Sequence, residues 1–595
     1  MTIYKAPVDD TMFLWRDVFR ADRYSNHPGF SEATPDVVEA ILREAAKFCE
    51  EKLVPLNRVG DLEGCTRHAD GRVTTPEGFV EAFRQMREGG YIGVSAPEDY
   101  GGMGLPVTLT EAVNEYLSSG NMAFAMYAGL TQGAIAAILA HGTDEQKSLY
   151  LPKLVTGEWT GTMNLTEPQA GTDLNLLRTR AEKQTDGWYK ISGTKIFISS
   201  GEHDLTDNIV HLVLARIEGA PEGTRGLSLF IVPKVVPGTD GSPGVRNAVS
   251  CGAIEHKMGI HGNATCVMNY DGATGWLLGD ENRGLAAMFT MMNEARLAVG
   301  VQGLAMSEVA YQNAAVYAKE RLQGRALSGV QASDKPADPI IAHADVRRML
   351  MTIRAINEAG RALVMWAALA SDLSRVADEE KVRQAAHDRL SLLTPVIKGV
   401  LTDLGFANTV LAQQVFGGHG YIAEQGMEQF VRDARIAMIY EGTNGIQALD
   451  LVGRKLPADG GRAFQAFLAD VSGFVRECDA DERMKPYAEP LGRACDDLQK
   501  ATLWFMQNAL ARPDHAGAGA SDSMHLLGLV ALGLMWGHIA RAAYDRLDGG
   551  EDARMRTRLV TGRFFMERLL PETGALLARI QAGADSTMEL PAEAF

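Results

Sequence analysis

The sequence predicts a mainly helical protein with a small β-domain in its middle and a helical extension at its C-terminal end. Three observations lead there. Apolar residues recur at helical spacing on either side of the middle region. Between about Thr160 and Gly279 the character changes to short β-branched runs cut by Gly and Pro. The 595-residue length then leaves about 140 residues beyond the second helical block, enough for another packed unit.

Element by element, PDVVEAILREAAKFCEEKLVPLNR opens the first helical region, with Val37, Val38, Ile41, Ala45 and Phe48 on one face. The glycine-rich SAPEDYGGMGLP (Ser95 to Pro106) interrupts it, and helix resumes through Ile135, Ile138 and Leu139. Trp188 to Ser199, His211 to Ile217 and Leu227 to Val236 read as strands. After Asp280 a long helix is expected through KERL. The loop Gly329 to Pro339 follows it, then helices over Arg348 to Leu373, Glu379 to Leu404 and Thr409 to Val415. KLPADGGR (Lys455 to Arg462) reads as a linker, and Ala511 to Ser523 as a flexible break in the last block. The expected domains are an N-terminal extension (1–34), a helical domain (35–159), a β-domain (160–280), a helical bundle (281–455) and a helical extension (456–595).

Composition narrows the function classes. The net charge is −17, with 58 basic against 75 acidic residues, which disfavours a nucleic-acid partner. The six cysteines form no C-x-x-C, and the start MTIYKAPVDD has no apolar leader, so a reducing cytoplasmic setting is expected. The most apolar stretch, Leu526 to Trp536, is too short to span a bilayer, and membrane contact is not expected. No metal site is expected either. His256 and His261 are five apart, poor for one helical face, and no acid or cysteine completes a set. Neither a phosphate loop nor a strand-borne G-x-G-x-x-G occurs.

Three stretches hold candidate chemistry. TEPQAGTDL (Thr166 to Leu174) offers hydroxyls and close backbone N–H groups to a flat ring or a phosphate, or is an ordinary turn. QVFGGHGY (Gln414 to Tyr421) ends an apolar helix in glycines that permit close backbone approach, or is only a helix cap. MIYEGTNGIQALDL (Met438 to Leu451) sets one carboxylate, Glu441, between an apolar run and a glycine turn, as a solvated loop acid or as a base in a dry pocket.

Taken together with PEDYGGMGL, ISGTKIFISSG, KMGIHGNAT, NEARLAVGVQGLA, KERLQGR and RDARIAMIYEGTNGIQ, in this order, these stretches resemble the acyl-CoA dehydrogenase family over roughly Glu32 to Arg454. The ends resemble its long bacterial branch, which includes 3-(methylthio)propionyl-CoA dehydrogenases. The resemblance implies an N-terminal helical domain, a β-barrel-like middle domain and a C-terminal four-helix bundle. It implies FAD as cofactor, an acyl-CoA substrate oxidised to the trans-2-enoyl-CoA, electron-transfer flavoprotein as acceptor and a homodimer. An acyl-CoA oxidase using O₂ is the alternative. A non-catalytic or DNA-binding homologue is a remoter one, since the tail carries no basic stripe.

Residue by residue, the resemblance makes Glu441 the catalytic base, with its own N–H polarising the thioester. Some relatives carry the base just before an arginine on the helix after the β-domain. Here that place is Ala295, and Glu294 is turned away by about 100°. Cofactor contacts fall on Thr166, Phe197, Ser199, Arg321, Gln323, Gln414, Gly418 and Thr443, with Arg321 and Gln323 reaching a partner subunit. Substrate contacts fall on Thr172, Arg296, Tyr440 and Gly442. Phe197 and Ser199 stand where many relatives have Trp and Thr, and Gly445 replaces a glutamine seen in some. Burial beside Met438, Ile439 and a bound acyl chain is expected to raise the carboxyl pKa of Glu441.

Overall fold

The computed structural model describes residues 2–238 and 240–595. It divides into two compact units, one of residues 40–298 and one of residues 1–39 with 299–595.

The 40–298 unit is organised around helix α1 (Val107–His141) and a seven-stranded sheet. α1 is apolar nearly all round, the pattern of a helix enclosed by protein. Its strands are β1 (Trp159–Asn164), β2 (Arg180–Lys183), β3 (Tyr189–Ser199), β4 (Asn208–Ile217), β5 (Leu227–Pro233), β6 (Val249–Ile254) and β7 (Thr265–Leu278). Pairing runs β7–β3–β2–β4–β5 and returns from β5 to β7, so five strands close a barrel. β1 adds to β4 in parallel, and β6 adds to β7. Closure removes edges that would otherwise recruit other strands. β4 is buried along almost its whole length, as a strand covered on both faces must be. Tyr189, Ile191, Val213, Phe230, Val232, Met268 and Tyr270 fill the core.

The three expected strands are present with small changes of end. The sheet's other four strands were not anticipated. β7 is the longest of the seven, and its glycines, Gly272 and Gly275, disguise a run that otherwise alternates.

Helix α2 (Gly284–Glu320) carries the chain from the first unit into the second. The bundle continues with α3 (Ala344–Val376) and α4 (Glu380–Val415). The expected break between Leu404 and Thr409 is absent, because Gly405 serves helix crossing rather than a turn. A Cβ there would lie 2.3 Å from the Gly303 carbonyl oxygen. A short helix α5 (Asn444–Asp450) follows the Glu441 turn. Pro457 to Gly460 is exposed, in keeping with the linker reading.

The extension comprises α6 (Arg462–Cys478), α7 (Lys485–Asn508), α8 (Asp514–Asp548), α9 (Ala553–Arg568) and α10 (Glu572–Ala582). The expected flexible break at Ala511 to Ser523 is instead mostly the start of α8. Its small residues are there for fit: a Cβ on Gly519 would press on the Phe505 ring at 2.9 Å. α8 lies at the centre of its unit. Gly528 seats against Val400, Met524 sits on Gly399, and the Trp536 indole donates to the Ala355 carbonyl at 3.0 Å.

By length and composition alone α1, α4 and α8 could each cross a membrane, so the argument from an eleven-residue apolar stretch fails. Burial replaces it: 89% of the most apolar window of α8 is enclosed by the protein's own chain.

Candidate active site

The barrel unit positions one set of residues through its strands. Opposite Val267 of β7, strand β3 places two residues, Ile196 and Phe197, where regular pairing would place one. This is a β-bulge, a device that re-aims a side chain. Phe197 takes a left-handed backbone, φ +59°, uncommon for a bulky residue and a marker of a constrained site. The Ile196 N–H leaves the ladder and donates to the Thr166 carbonyl at 2.9 Å, which ties the TEPQAGTDL loop to the bulge. The Phe197 ring is 59% exposed, a large apolar face held out from the barrel. Thr166 and Ser199 are half-buried, and Thr172 is exposed.

Below this loop lies a buried ion pair that sequence reading missed. Lys195, fully buried, donates to the Leu165 carbonyl and to Glu167 Oε1, both at 2.9 Å. Glu167 also accepts the Arg178 and Thr179 N–H groups at 2.7 and 3.0 Å. Burial opposes the Glu167 charge, but Lys195 and these donors outweigh it and bring its pKa down to about 2. Burial brings Lys195 down to about 8, partly offset by Glu167, so the pair is ionised at neutral pH. One signal was available, a lysine leading straight into the apolar Ile196–Ile198 run of β3.

On α2, Arg296 is buried with its guanidinium 5.8 Å from the Phe289 ring centroid. Glu294 is half-buried. His261 is engaged with the Asp61 and Lys257 carbonyls at 2.9 and 2.8 Å, a structural use.

The second unit positions Glu441, also in a left-handed backbone, φ +57°, with Gly442 following at φ +85°. The turn is anchored by side chains. Lys398 of α4, fully buried, donates to the Gly442 carbonyl at 2.7 Å and to Asn444 Oδ1 at 2.8 Å. Gln447 donates to the Glu441 carbonyl at 2.9 Å. Asn444 Nδ2 is shared among the Gly399 carbonyl, Thr402 Oγ1 and Asp403 Oδ1. Thr443 caps α5 through the Ile446 N–H. The Tyr440 hydroxyl donates to Gln302, and burial together with the Glu441 charge pushes its pKa up.

Glu441 itself is half-buried and Ile439 is 46% exposed, so Met438 and Ile439 alone do not make the dry surroundings expected. Arg321 and Gln323 are exposed on a segment bridged to Pro339. Asp338 organises that segment, accepting the Ala326, Gln331 and Ala332 N–H groups. These bonds bring the Asp338 pKa down to about 2. Gln414 and Gly418 are exposed where α4 ends, beside Phe416 stacked on Tyr317 at 4.1 Å. The structure therefore gathers Tyr440, Glu441, Gly442 and Thr443 on one turn, and Thr166, Phe197 and Ser199 around one bulge.

Comparison with known proteins agrees along the chain. The acyl-CoA dehydrogenase N-terminal domain family matches residues 35–158, the middle domain 162–273 and the C-terminal domain 282–456. A family described as acetyl-CoA dehydrogenase C-terminal like matches 467–591. The chain is 44% identical over 587 residues to the 3-methylmercaptopropionyl-CoA dehydrogenase of Ruegeria pomeroyi, covering 98% of this chain and 99% of that one. It is 34% identical over 621 residues, the full length of both, to the broad-specificity linear acyl-CoA dehydrogenase FadE5 of Mycobacterium tuberculosis. In fold it is similar to the acyl-CoA dehydrogenase of Bacillus anthracis complexed with FAD, with a TM-score of 0.73 at 23% identity, covering 92% of this chain and 88% of that one. Helical domain, barrel, bundle and extension all match in order, and the chain belongs to the acyl-CoA dehydrogenase family.

Proposed function

We propose that this enzyme removes the α and β hydrogens of an acyl-CoA thioester, with Glu441 as base and FAD as cofactor. The observation that carries the reading is the Glu441 turn, a carboxylate in strained backbone fixed by buried side chains. Strain of that kind persists only where the surroundings hold it, and it clusters at sites of chemistry.

The barrel residues fit a flavin. The bulge holds an exposed aromatic face, and Thr166 is tied to it through its carbonyl, which accepts the Ile196 N–H. FAD, when bound, would supply the acceptor for the β hydride. Phe197 would cover one ring face, and Thr166 and Ser199 would meet polar ring edges. Gln414, Gly418, Thr443, Arg321 and Gln323 would hold the nucleotide end. Glu441 would take the α proton while its backbone N–H polarises the thioester carbonyl. Tyr440, Gly442, Thr172 and Arg296 would border the thioester. The acyl chain itself would complete the water exclusion that Met438 and Ile439 begin.

The substrate we favour is 3-(methylthio)propionyl-CoA or a short straight-chain acyl-CoA. The named activity of the 44%-identical relative supports it. A homodimer is supported by large apolar side chains left exposed in the second unit, Leu327, Tyr421 and Ile422. Electron-transfer flavoprotein is the acceptor we propose, and peroxide release in air would argue for O₂ instead. Six free thiols, five of them buried, suit a cytoplasmic enzyme.

The test is anaerobic mixing with a CoA thioester panel. Glu441→Gln should keep its flavin and slow bleaching by about 10²-fold to 10⁴-fold. Glu294→Gln should bleach within about tenfold of the unaltered enzyme. The reverse pattern would move the base to the α2 acid.

A further inference from the structure

The side chains under the Glu441 turn lead outward to the C-terminal extension. Lys398 holds the Gly442 carbonyl at 2.7 Å and the Asn444 amide oxygen at 2.8 Å. The amide nitrogen of Asn444 faces the Gly399 carbonyl, Thr402 Oγ1 and Asp403 Oδ1 at 3.1, 2.9 and 2.6 Å. An oxygen toward a cation and a nitrogen toward acceptors leaves Asn444 one orientation. The other carboxylate oxygen of Asp403 accepts His525 Nε2 of α8 at 2.8 Å. Around this contact the two helices interlock, with Met524 on Gly399 and Gly528 on Val400.

We infer that Lys398 and the Asp403–His525 pair are positioning residues for the base, so that the extension takes part in aiming Glu441. The inference rests on the base assignment above. Burying an ammonium is costly, and an apolar side chain could fill the space more cheaply. What Lys398 adds is a fixed donor at the Gly442 carbonyl, one peptide beyond the Glu441–Gly442 link. Gln447 fixes the preceding carbonyl. With both carbonyls held inward, and the Tyr440 N–H bonded to the Ile436 carbonyl on the other side, the chain is pinned on both sides of the φ of +57° at Glu441, and with it the direction of the carboxylate. His525 orients Asp403, Asp403 orients Asn444, and Asn444 shares Lys398 with the turn.

The experiment is stopped-flow bleaching of the FAD-loaded full chain by a good acyl-CoA. It is read with the α-deuterium isotope effect, the pH profile and the flavin content. Lys398→Met should slow bleaching by about 10²-fold, the scale of a displaced reacting group, while flavin stays bound. Its pH profile should shift, because a carboxylate aimed elsewhere meets different surroundings. His525→Leu should slow bleaching by about threefold to tenfold, as expected of coupling through a packed network. His525→Gln, which keeps a donor for Asp403, should restore it to within about twofold. Arg579→Gln, which breaks the Arg579–Asp522 pair between α10 and α8, should change nothing. Bleaching at the normal rate in Lys398→Met and His525→Leu, with Glu441→Gln silent, overturns the positioning role alone. Equal losses in His525→Leu and His525→Gln, tracking flavin content with an unchanged pH profile, also overturn it. Normal bleaching in Glu441→Gln overturns the base assignment itself.

Discussion

Lys195 in the barrel and Lys398 in the bundle are both fully buried, and each supports a residue held in left-handed backbone. The resemblance ends there. Around Phe197 the strain is imposed by main chain: the β3–β7 register doubles one position, and the Ile196 N–H crosses to Thr166. Lys195 acts one step away, pairing with Glu167 to pin the loop that the bulge grips. Around Glu441 no sheet imposes anything. The turn is held by the side chains of Lys398, Asn444 and Gln447. An aromatic residue set by register should tolerate change in its neighbours. A carboxylate set by three side chains should not.

Four changes sharpen or break that contrast. The largest effect belongs to Lys195→Met, which strands Glu167 as a buried charge and should destabilise the protein by about 3–5 kcal/mol in urea titrations. A loss under about 1 kcal/mol would mean that the Arg178 and Thr179 N–H groups suffice for Glu167. Asn444→Ala removes hydrogen bonds to charged and neutral partners of the Glu441 turn and should cost about 2–3 kcal/mol. It should also slow bleaching, which Lys195→Met should do only through lost flavin. A change in stability without a change in rate would break the comparison.

Acid should act next. Burial holds the His211 imidazole neutral, with its pKa lowered from 6.5 to about 3. The unfolded chain therefore binds the proton first. Stability is full above pH 6.5 and falls as pH drops toward 3, by at most about 1.4 kcal/mol per unit. Glu167, brought from 4.5 to about 2, adds a further loss across that lower window. His211→Gln should lessen the fall of the urea midpoint from pH 6.5 down to 3, leaving the parts contributed by Glu167 and by the buried His203 and His538. The smallest effect is Phe197→Gly. Relief of φ +59° should raise the melting temperature of flavin-free protein, by about 1 kcal/mol of stability, while FAD retention weakens with the lost aromatic face. Unchanged stability would mean that the bulge costs nothing to hold.

Much of this was legible in the sequence, for reasons that also explain the failures. The long periodic stretch from Gly284 to Glu320 had one reading, and it is one helix. Gly405 and Gly519 were misleading because glycine signals a turn and a close helix contact alike, and only the neighbouring Gly303 backbone or Phe505 ring decides. Glu441 stood out by its motif. The residues that hold it did not, since Lys398 and His525 lie far from it along the chain and belong to no repeating pattern. A single lysine within PVIKGVL was the available hint. Nothing in a phenylalanine code letter announces a left-handed backbone, so the bulge at Phe197 had to be seen.

The placement of the last 140 residues also sets a timetable for synthesis. Arg558 of α9 pairs with Asp10, 548 residues earlier, and with Glu358 of α3. The Trp536 indole reaches Ala355. A ribosome adding about 5–20 residues per second leaves Asp10 waiting roughly half a minute to two minutes for its partner. The apolar surface of α3 that faces α8 waits about a third as long, since Ala355 lies 181 residues before Trp536. Until α8 has emerged that surface faces water, as an exposed apolar patch that favours association with other chains.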